Sequence, residues 1–183
     1  MESGRFRAHF RQLDRTNTKS MKYHCLILSL ALSLSAFAAS PTGFADIPFG
    51  VSLQDARTAL ASREGLKSGE ASAERLTFTG GSFSGQPVSL WTLAFAGGKF
   101  AAGSVLIDNV KKPVYDDIKA QLAKKYGKPD SEKGHHSFEC LWEFRSDGRR
   151  TIRLDYEYKG KVTITYSNDS LAKAAPTAKK TDL

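Results

Sequence analysis

Three short runs near the C-terminus alternate strictly between apolar and polar residues, and this alternation restricts the fold more than any other feature of the sequence. The apolar positions are Phe138, Cys140, Trp142 and Phe144, then Ile152, Leu154, Tyr156 and Tyr158, then Val162, Ile164 and Tyr166. Because successive side chains of a strand point to opposite faces, each run predicts a strand with one buried and one wet face. The turns at Asp147-Gly148 and Lys159-Gly160 are too short for crossover connections, which predicts an antiparallel meander.

The preceding part of the chain predicts two helices and three further strands. Ser52 and Asp55 have the spacing of a capping box, so a first helix is expected over residues 53–63. A second is expected over 113–126, because Pro113 suits the first helical position and Gly127 can take the left-handed conformation that ends a helix. Strands are expected at residues 76–78, 88–95 and 100–107.

These elements predict an α+β fold. Two helices are expected to pack on a mainly antiparallel sheet of about six strands. The order of helix, three strands, helix and three strands allows a duplication of an αβββ unit.

The N-terminal region has the three-part pattern of a secretory signal peptide. Lys22 precedes an apolar run at residues 25–34, and the small residues Ala36 and Ala38 suit signal peptidase. We therefore expect cleavage after Ala38 and a periplasmic or secreted mature protein. The apolar run is too short for a lasting membrane span, which needs about 20 residues as a helix.

The same pattern sets the expected domain limits. Residues 1–38 form an N-terminal extension and signal peptide, residues 39–168 a single α+β domain, and residues 169–183 a disordered tail rich in Ala, Lys and Thr. Met21 begins a signal of ordinary size, so the sequence leaves both Met1 and Met21 open as the start of the chain.

Charge and cysteine content exclude several classes of protein. The formal net charge of +8 falls to +4 when residues 1–38, which carry six Lys/Arg and two Asp/Glu, are removed. This mild basicity gives no reason to expect nucleic-acid binding. Cys25 stands at the front of the apolar run rather than after it, so lipid anchoring is not expected. Once residues 1–38 are removed, Cys140 is the one cysteine left, so no intramolecular disulfide can form. Core packing must therefore stabilise the domain.

Two short motifs add a resemblance. The segment Pro48-Phe49-Gly50-Val51-Ser52-Leu53 and the segment Lys125-Tyr126-Gly127-Lys128-Pro129 resemble the "FG-x-S-L" and "KYGKP" motifs of small exported bacterial α+β proteins. The resemblance covers about residues 44–168 and implies a fold and an envelope location, without catalytic residues. The general plan is also similar to the outer-membrane assembly lipoprotein and β-lactamase-inhibitor folds, although this chain lacks the lipoprotein cysteine.

Four arginines form the candidate binding site. They are Arg145, Arg149, Arg150 and Arg153, which surround one predicted hairpin. Their forked guanidinium groups suit a carboxylate, a phosphate or an acidic partner surface. The alternative is ordinary ion pairing with acidic cross-strand neighbours. Those neighbours are Glu139, Glu143, Asp155 and Glu157.

Cys140, with His135 and His136 nearby, is the one nucleophile-and-base set that the sequence offers. The favoured alternative is that Cys140 is a small buried apolar residue, because it shares its strand face with Trp142. Adjacent histidines rarely direct both rings at one ion, so metal binding is not expected. We predict no catalytic residue, no metal and no cofactor.

Two functions remain open at this point. The first is an exported, non-enzymatic protein that binds another envelope macromolecule, such as an envelope protein. The alternative is a small enzyme or ligand carrier with a pocket between the helices and the sheet. Buried polar groups that converge in a cavity would favour the enzyme or ligand carrier, and a flat exposed aromatic patch would favour partner binding.

Overall fold

The computed structural model describes residues 39–135, 137–146 and 148–174. The predicted signal peptide and residues 175–183 of the predicted tail lie outside the described residues. The helices are α1 (Leu53–Ala61), α2 (Lys112–Tyr126) and α3 (Asp169–Ala174), the last lying in the segment assigned to the tail. Two-residue strands form two small hairpins, β1 (Gly43–Phe44) with β2 (Ile47–Pro48), and β5 (Ser82–Phe83) with β6 (Gln86–Pro87).

Eight strands form the main sheet. They are β3 (Leu66–Ala71), β4 (Arg75–Gly80), β7 (Leu90–Ala96), β8 (Lys99–Ile107), β9 (Ser131–Gly134), β10 (Ser137–Phe144), β11 (Arg150–Glu157) and β12 (Lys161–Asn168). Their spatial order is β3-β4-β7-β8-β12-β11-β10-β9, and all the neighbours are antiparallel. The prediction of an α+β fold with a mainly antiparallel sheet is confirmed.

Both long helices begin or end where local chemistry predicts. The Ser52 hydroxyl accepts a hydrogen bond from the Asp55 amide at 3.2 Å and donates one to its carboxylate at 2.7 Å. At the end of α2, Gly127 has a φ of 82°, and its amide donates to the carbonyl of Ala123. The ψ of −174° at Gly127 places it outside the left-handed helical conformation that the sequence predicted, but the positive φ, which glycine adopts without strain, still turns the chain away from the helical path.

The prediction of about six strands is wrong, because the main sheet has eight. The six predicted strands correspond to β4, β7, β8, β10, β11 and β12, and the two missed strands are the edges, β3 and β9. Beyond Leu66 and Ser131, their residues are exposed, so neither strand shows an apolar alternation. Each half of the chain supplies a helix and then four main-sheet strands, one more than the predicted αβββ unit contains.

The core lies on one face of the sheet, and the β1–β2 hairpin completes it. Phe44 is buried, and its ring centroid lies 5.9 Å from that of Trp91 and 5.5 Å from that of Tyr166. Gly103, in the middle of β8, lies directly beneath this ring, and a Cβ atom there would overlap it. The hairpin can therefore pack against the sheet because β8 has no side chain at that point.

We predict that Gly103→Ala destabilises the fold by about 1–3 kcal/mol, since an added methyl group in a filled core forces its neighbours to shift. Urea unfolding followed by tryptophan fluorescence measures this change. Ser104→Ala, one position along the same strand but on the opposite face, is the matched control and should change stability by about 0.5 kcal/mol or less. Equal losses in the two variants would contradict the packing of Phe44 on Gly103.

Candidate functional site

Among the residues that the structure describes, neither of the two longer helices, α1 and α2, lies on one face of the main sheet. Buried residues alternate with half-exposed ones along β7 and β12, and both α1 and α2 pack into the core on the buried side. The short helix α3 lies across β7, β8 and β11. We call the other side the open face and define it by a central row of residues that pair across six strands. The row is Thr77, Thr92, Ser104, Thr165, Arg153 and Leu141.

The middle of the open face consists of short hydroxyl side chains with apolar neighbours. Thr151 and Ser167, in the adjoining row, have hydroxyl oxygens 2.7 Å apart. On the other side of the central row, Leu90 is 36% exposed and pairs with the half-exposed Leu106. Hydroxyl groups both donate and accept hydrogen bonds, and these short side chains have little conformational freedom to lose on binding.

The sequence prediction did not single out these hydroxyl residues. The sequence signal that could have identified them is the Thr163-x-Thr165-x-Ser167 spacing of β12, because these three alternating positions all carry short hydroxyl side chains. Alternation alone separates the two faces of a strand. It does not say which face the helices leave uncovered.

Two of the predicted arginines converge on one glutamate at the end of the open face. Arg145 and Arg149 each place a guanidinium nitrogen 2.9 Å from the carboxylate of Glu143, and Arg149 also lies 3.4 Å from Asp169. Hydrogen bonds from the two arginines lower the pKa of Glu143 below its ordinary value. Both arginine side chains are more than half exposed, so part of each guanidinium remains accessible.

Arg153 forms a second ion-paired group within the central row. Its guanidinium lies 2.7 Å from Glu139 and 3.0 Å from Asp155, and Lys133 lies 3.7 Å from Glu139. The hydrogen bond to Asp155 raises the pKa of Arg153, whereas burial raises the pKa of Asp155 despite that bond. The Arg153 side chain is more than half exposed although its two carboxylate partners are half-buried. Ion pairs that reach solvent in this way contribute little to stability, so their main effect is to fix the position of the charges.

Arg150 departs from the predicted cluster. Its strand position places it on the side of Ile152 rather than on the open face, and the side chain is half-buried. The guanidinium donates to the Ser40 hydroxyl at 3.4 Å and to the Pro41 carbonyl at 3.3 Å. The four arginines therefore do not form a single cluster, because alternation along β11 sends neighbouring side chains to opposite faces.

Cys140 is buried in the core, as its strand face indicates. Its sulfur lies 3.1 Å from the hydroxyl of Tyr115, a contact from α2 to β10 that the sequence did not predict. Burial raises the pKa of the Cys140 thiol, and the hydrogen bond between Cys140 and Tyr115 offsets this only in part. Burial also raises the pKa of Tyr115, so both groups are held in their neutral forms at neutral pH.

The histidine pair adds no metal site to what the structure describes. His136 lies outside the described residues, and the hydroxyl of Tyr158 donates to the backbone carbonyl of His135 at 3.4 Å. In the described part of the chain, no three His, Cys, Asp or Glu side chains lie close enough together to hold a metal ion.

On the helix side of the sheet there is a cleft of about 520 Å³. We call it the hairpin cleft, because the β1–β2 and β5–β6 hairpins border it together with the C-terminal half of α2. Its aromatic lining consists of Phe83, Trp91, Tyr126 and Tyr166, and its charged residues are Asp46, Arg63 and Lys125. Burial raises the pKa of Tyr166, and its neighbour Tyr126 adds to this effect.

Comparison with protein families, with curated proteins and with solved structures finds no match to this chain. Within the described residues, no helix combines the length and apolar character that a membrane span requires.

We predict that stability falls as pH rises above about 8.5, the ordinary pKa of a thiol in an unfolded chain. Because burial raises the pKa of Cys140 in the folded state, the unfolded chain releases this proton first and is favoured at alkaline pH. Cys140→Ala should lack this part of the slope between about pH 8.5 and pH 10, above which Tyr115 and Tyr166 act in the same direction.

Urea unfolding of the wild type and Cys140→Ala at several pH values between about 7 and 10 measures the difference. Parallel stability curves for the two proteins would show that the thiol pKa is the same in the folded and unfolded states, contrary to this prediction.

Proposed function

We propose that this chain is an exported protein that binds another protein of the bacterial envelope through the open face of its eight-stranded sheet. The observation that carries the proposal is a broad, half-exposed sheet face, with short hydroxyl side chains at its centre and ion-paired arginines at one end.

The size of the open face suits a protein partner. Six interior strands at about 4.8 Å apart span about 24 Å, and the length of β12 adds the second dimension, about 26 Å. The product is on the order of 600 Å², which approaches the roughly 800 Å² that each partner buries in a standard interface.

The composition of the open face also supports partner binding. Strands in the middle of a sheet are held by neighbours on both sides, so a partner meets a surface that is already ordered. Leu90 and Leu106 provide apolar area, and Arg145, Arg149 and Arg153 provide accessible donors for an acidic rim on the partner. Rim charges of this kind mainly raise the association rate and set specificity.

Export is supported by the N-terminal signal pattern and by the contacts that Arg150 makes with Ser40 and Pro41, the residues just after the predicted cleavage site. Cleavage after Ala38 would leave Ser40 and Pro41 to receive the hydrogen bonds of Arg150. The domain would then keep all of its described contacts after processing.

We predict that the protein is found in the periplasm or the culture medium, with Ala39 as its N-terminal residue. Cell fractionation followed by N-terminal sequencing measures both properties. Replacing Ala36 and Ala38 with bulky Leu should cause the precursor to accumulate, because signal peptidase requires small residues there. A cytosolic protein that retains residues 1–38 would refute export.

We predict that Thr165→Arg and Ser104→Arg, each in the central row, abolish capture of an envelope partner while leaving the thermal midpoint nearly unchanged. A buried, unpaired arginine at the interface should weaken binding at least about tenfold. Affinity purification from envelope extracts, quantified by mass spectrometry, measures the loss. Gln54→Arg, on the exposed side of α1, is the matched control and should retain the partner.

If Gln54→Arg and Thr165→Arg lost the captured partner to the same extent, the partner would not bind specifically to the open face. A partner retained by both central-row variants would also exclude the open face.

A further inference from the structure

The hairpin cleft lies on the helix side of the sheet, away from the open face, and has the size and lining of a small-molecule site. Its volume of about 520 Å³ falls within the roughly 300–1,000 Å³ that is usual for ligand pockets. Phe83 and Trp91 meet edge to face with ring centroids 6.1 Å apart, and Tyr126 and Tyr166 do so at 6.3 Å. Trp91, Tyr126 and Tyr166 are only 1%, 7% and 7% exposed, so the aromatic surface that a planar ring could reach belongs mainly to the half-buried Phe83.

The charges at the cleft favour an anion. Arg63 forms an ion pair with Asp46 at 3.0 Å. The ammonium group of Lys125 lies 5.1 Å from the centroid of the Tyr126 ring, and among the described residues no carboxylate lies within ion-pair distance of it. One positive charge on the rim is thus left to attract a ligand carboxylate.

The backbone at the mouth of the cleft is held in a conformation that is unusual for its residues. Ala45 and Asp46 form the two-residue turn of the β1–β2 hairpin, with φ angles of 50° and 60°. Such turns normally use Gly or Asn, because a side chain disfavours positive φ. The Arg63 guanidinium donates to the Ala45 carbonyl and to the Asp46 carboxylate, which holds this turn in place. Strained residues of this kind cluster at ligand clamps.

We propose that the hairpin cleft binds a small aromatic carboxylate, whose ring packs against Phe83 at the cleft wall and whose carboxylate pairs with Lys125. Arg63 acts as a positioning residue, since it fixes the hairpin tip at the mouth of the cleft. This site is separate from the open face, so its occupancy does not depend on a protein partner.

Titration of the purified mature protein with 2-naphthoate, followed by ¹H–¹⁵N NMR, tests the proposal with an internal reference. The chain has two tryptophans. The indole N–H of Trp91 donates to the Gly80 carbonyl and its ring lines the cleft, whereas the indole N–H of Trp142 donates to the Gly127 carbonyl. We expect a saturable shift of the Trp91 indole signal and no shift of the Trp142 signal.

Two lysines at adjacent positions supply a matched pair of variants. Lys125→Gln should weaken 2-naphthoate binding at least about tenfold, because it removes the cation that holds the carboxylate. Lys124→Gln, on an exposed residue outside the cleft, should leave the affinity unchanged. The neutral analogue 2-naphthamide should bind the wild type as weakly as 2-naphthoate binds Lys125→Gln.

An unshifted Trp91 signal at saturating 2-naphthoate would overturn the proposal, as would equal losses in the Lys124 and Lys125 variants. Thr165→Arg separates this site from the proposed function. It should bind 2-naphthoate like the wild type, even though it is expected to lose the protein partner.

Discussion

The antiparallel pairing of β8 with β12 is the interaction on which the rest of the structure depends. It joins two four-stranded meanders that are far apart in sequence, with Ile107 opposite Val162 and Ala102 opposite Ser167. A shift of one residue in this register would move every apolar side chain of β12 to the other face. The continuity of the core and the composition of the open face both follow from this one pairing.

The same pairing separates the two proposed binding regions. Along β12, Ile164 and Tyr166 face the helices, while Thr163 and Thr165 belong to the open face. Tyr166 reaches the hairpin cleft, and Thr165 lies in the middle of the central row. A partner on one side and a small ligand on the other would thus share a strand without sharing a side chain.

The interior strands could be predicted, and the edge strands could not, for one physical reason. Interior strands such as β7 and β12 pack against the helices, so their sequences carry a buried residue at every second position. β3 and β9 are held mainly by backbone pairing to one neighbour, which places little demand on side-chain type. The β1–β2 hairpin escaped prediction because Ala45 and Asp46 are not the usual residues of a two-residue turn.

The sequence by itself determined the start of α1, the end of α2, the six interior strands and the burial of Cys140, since capping, turn chemistry and alternation are local properties of the chain. The tertiary structure alone decided the strand order, the contacts that each arginine makes and the hairpin cleft. Arg150 illustrates the difference. It follows Arg149 directly in the chain, yet its side chain contacts Pro41, which is more than a hundred residues away in the sequence. Contacts of that kind depend on how distant segments pack, and no local pattern in the sequence encodes them.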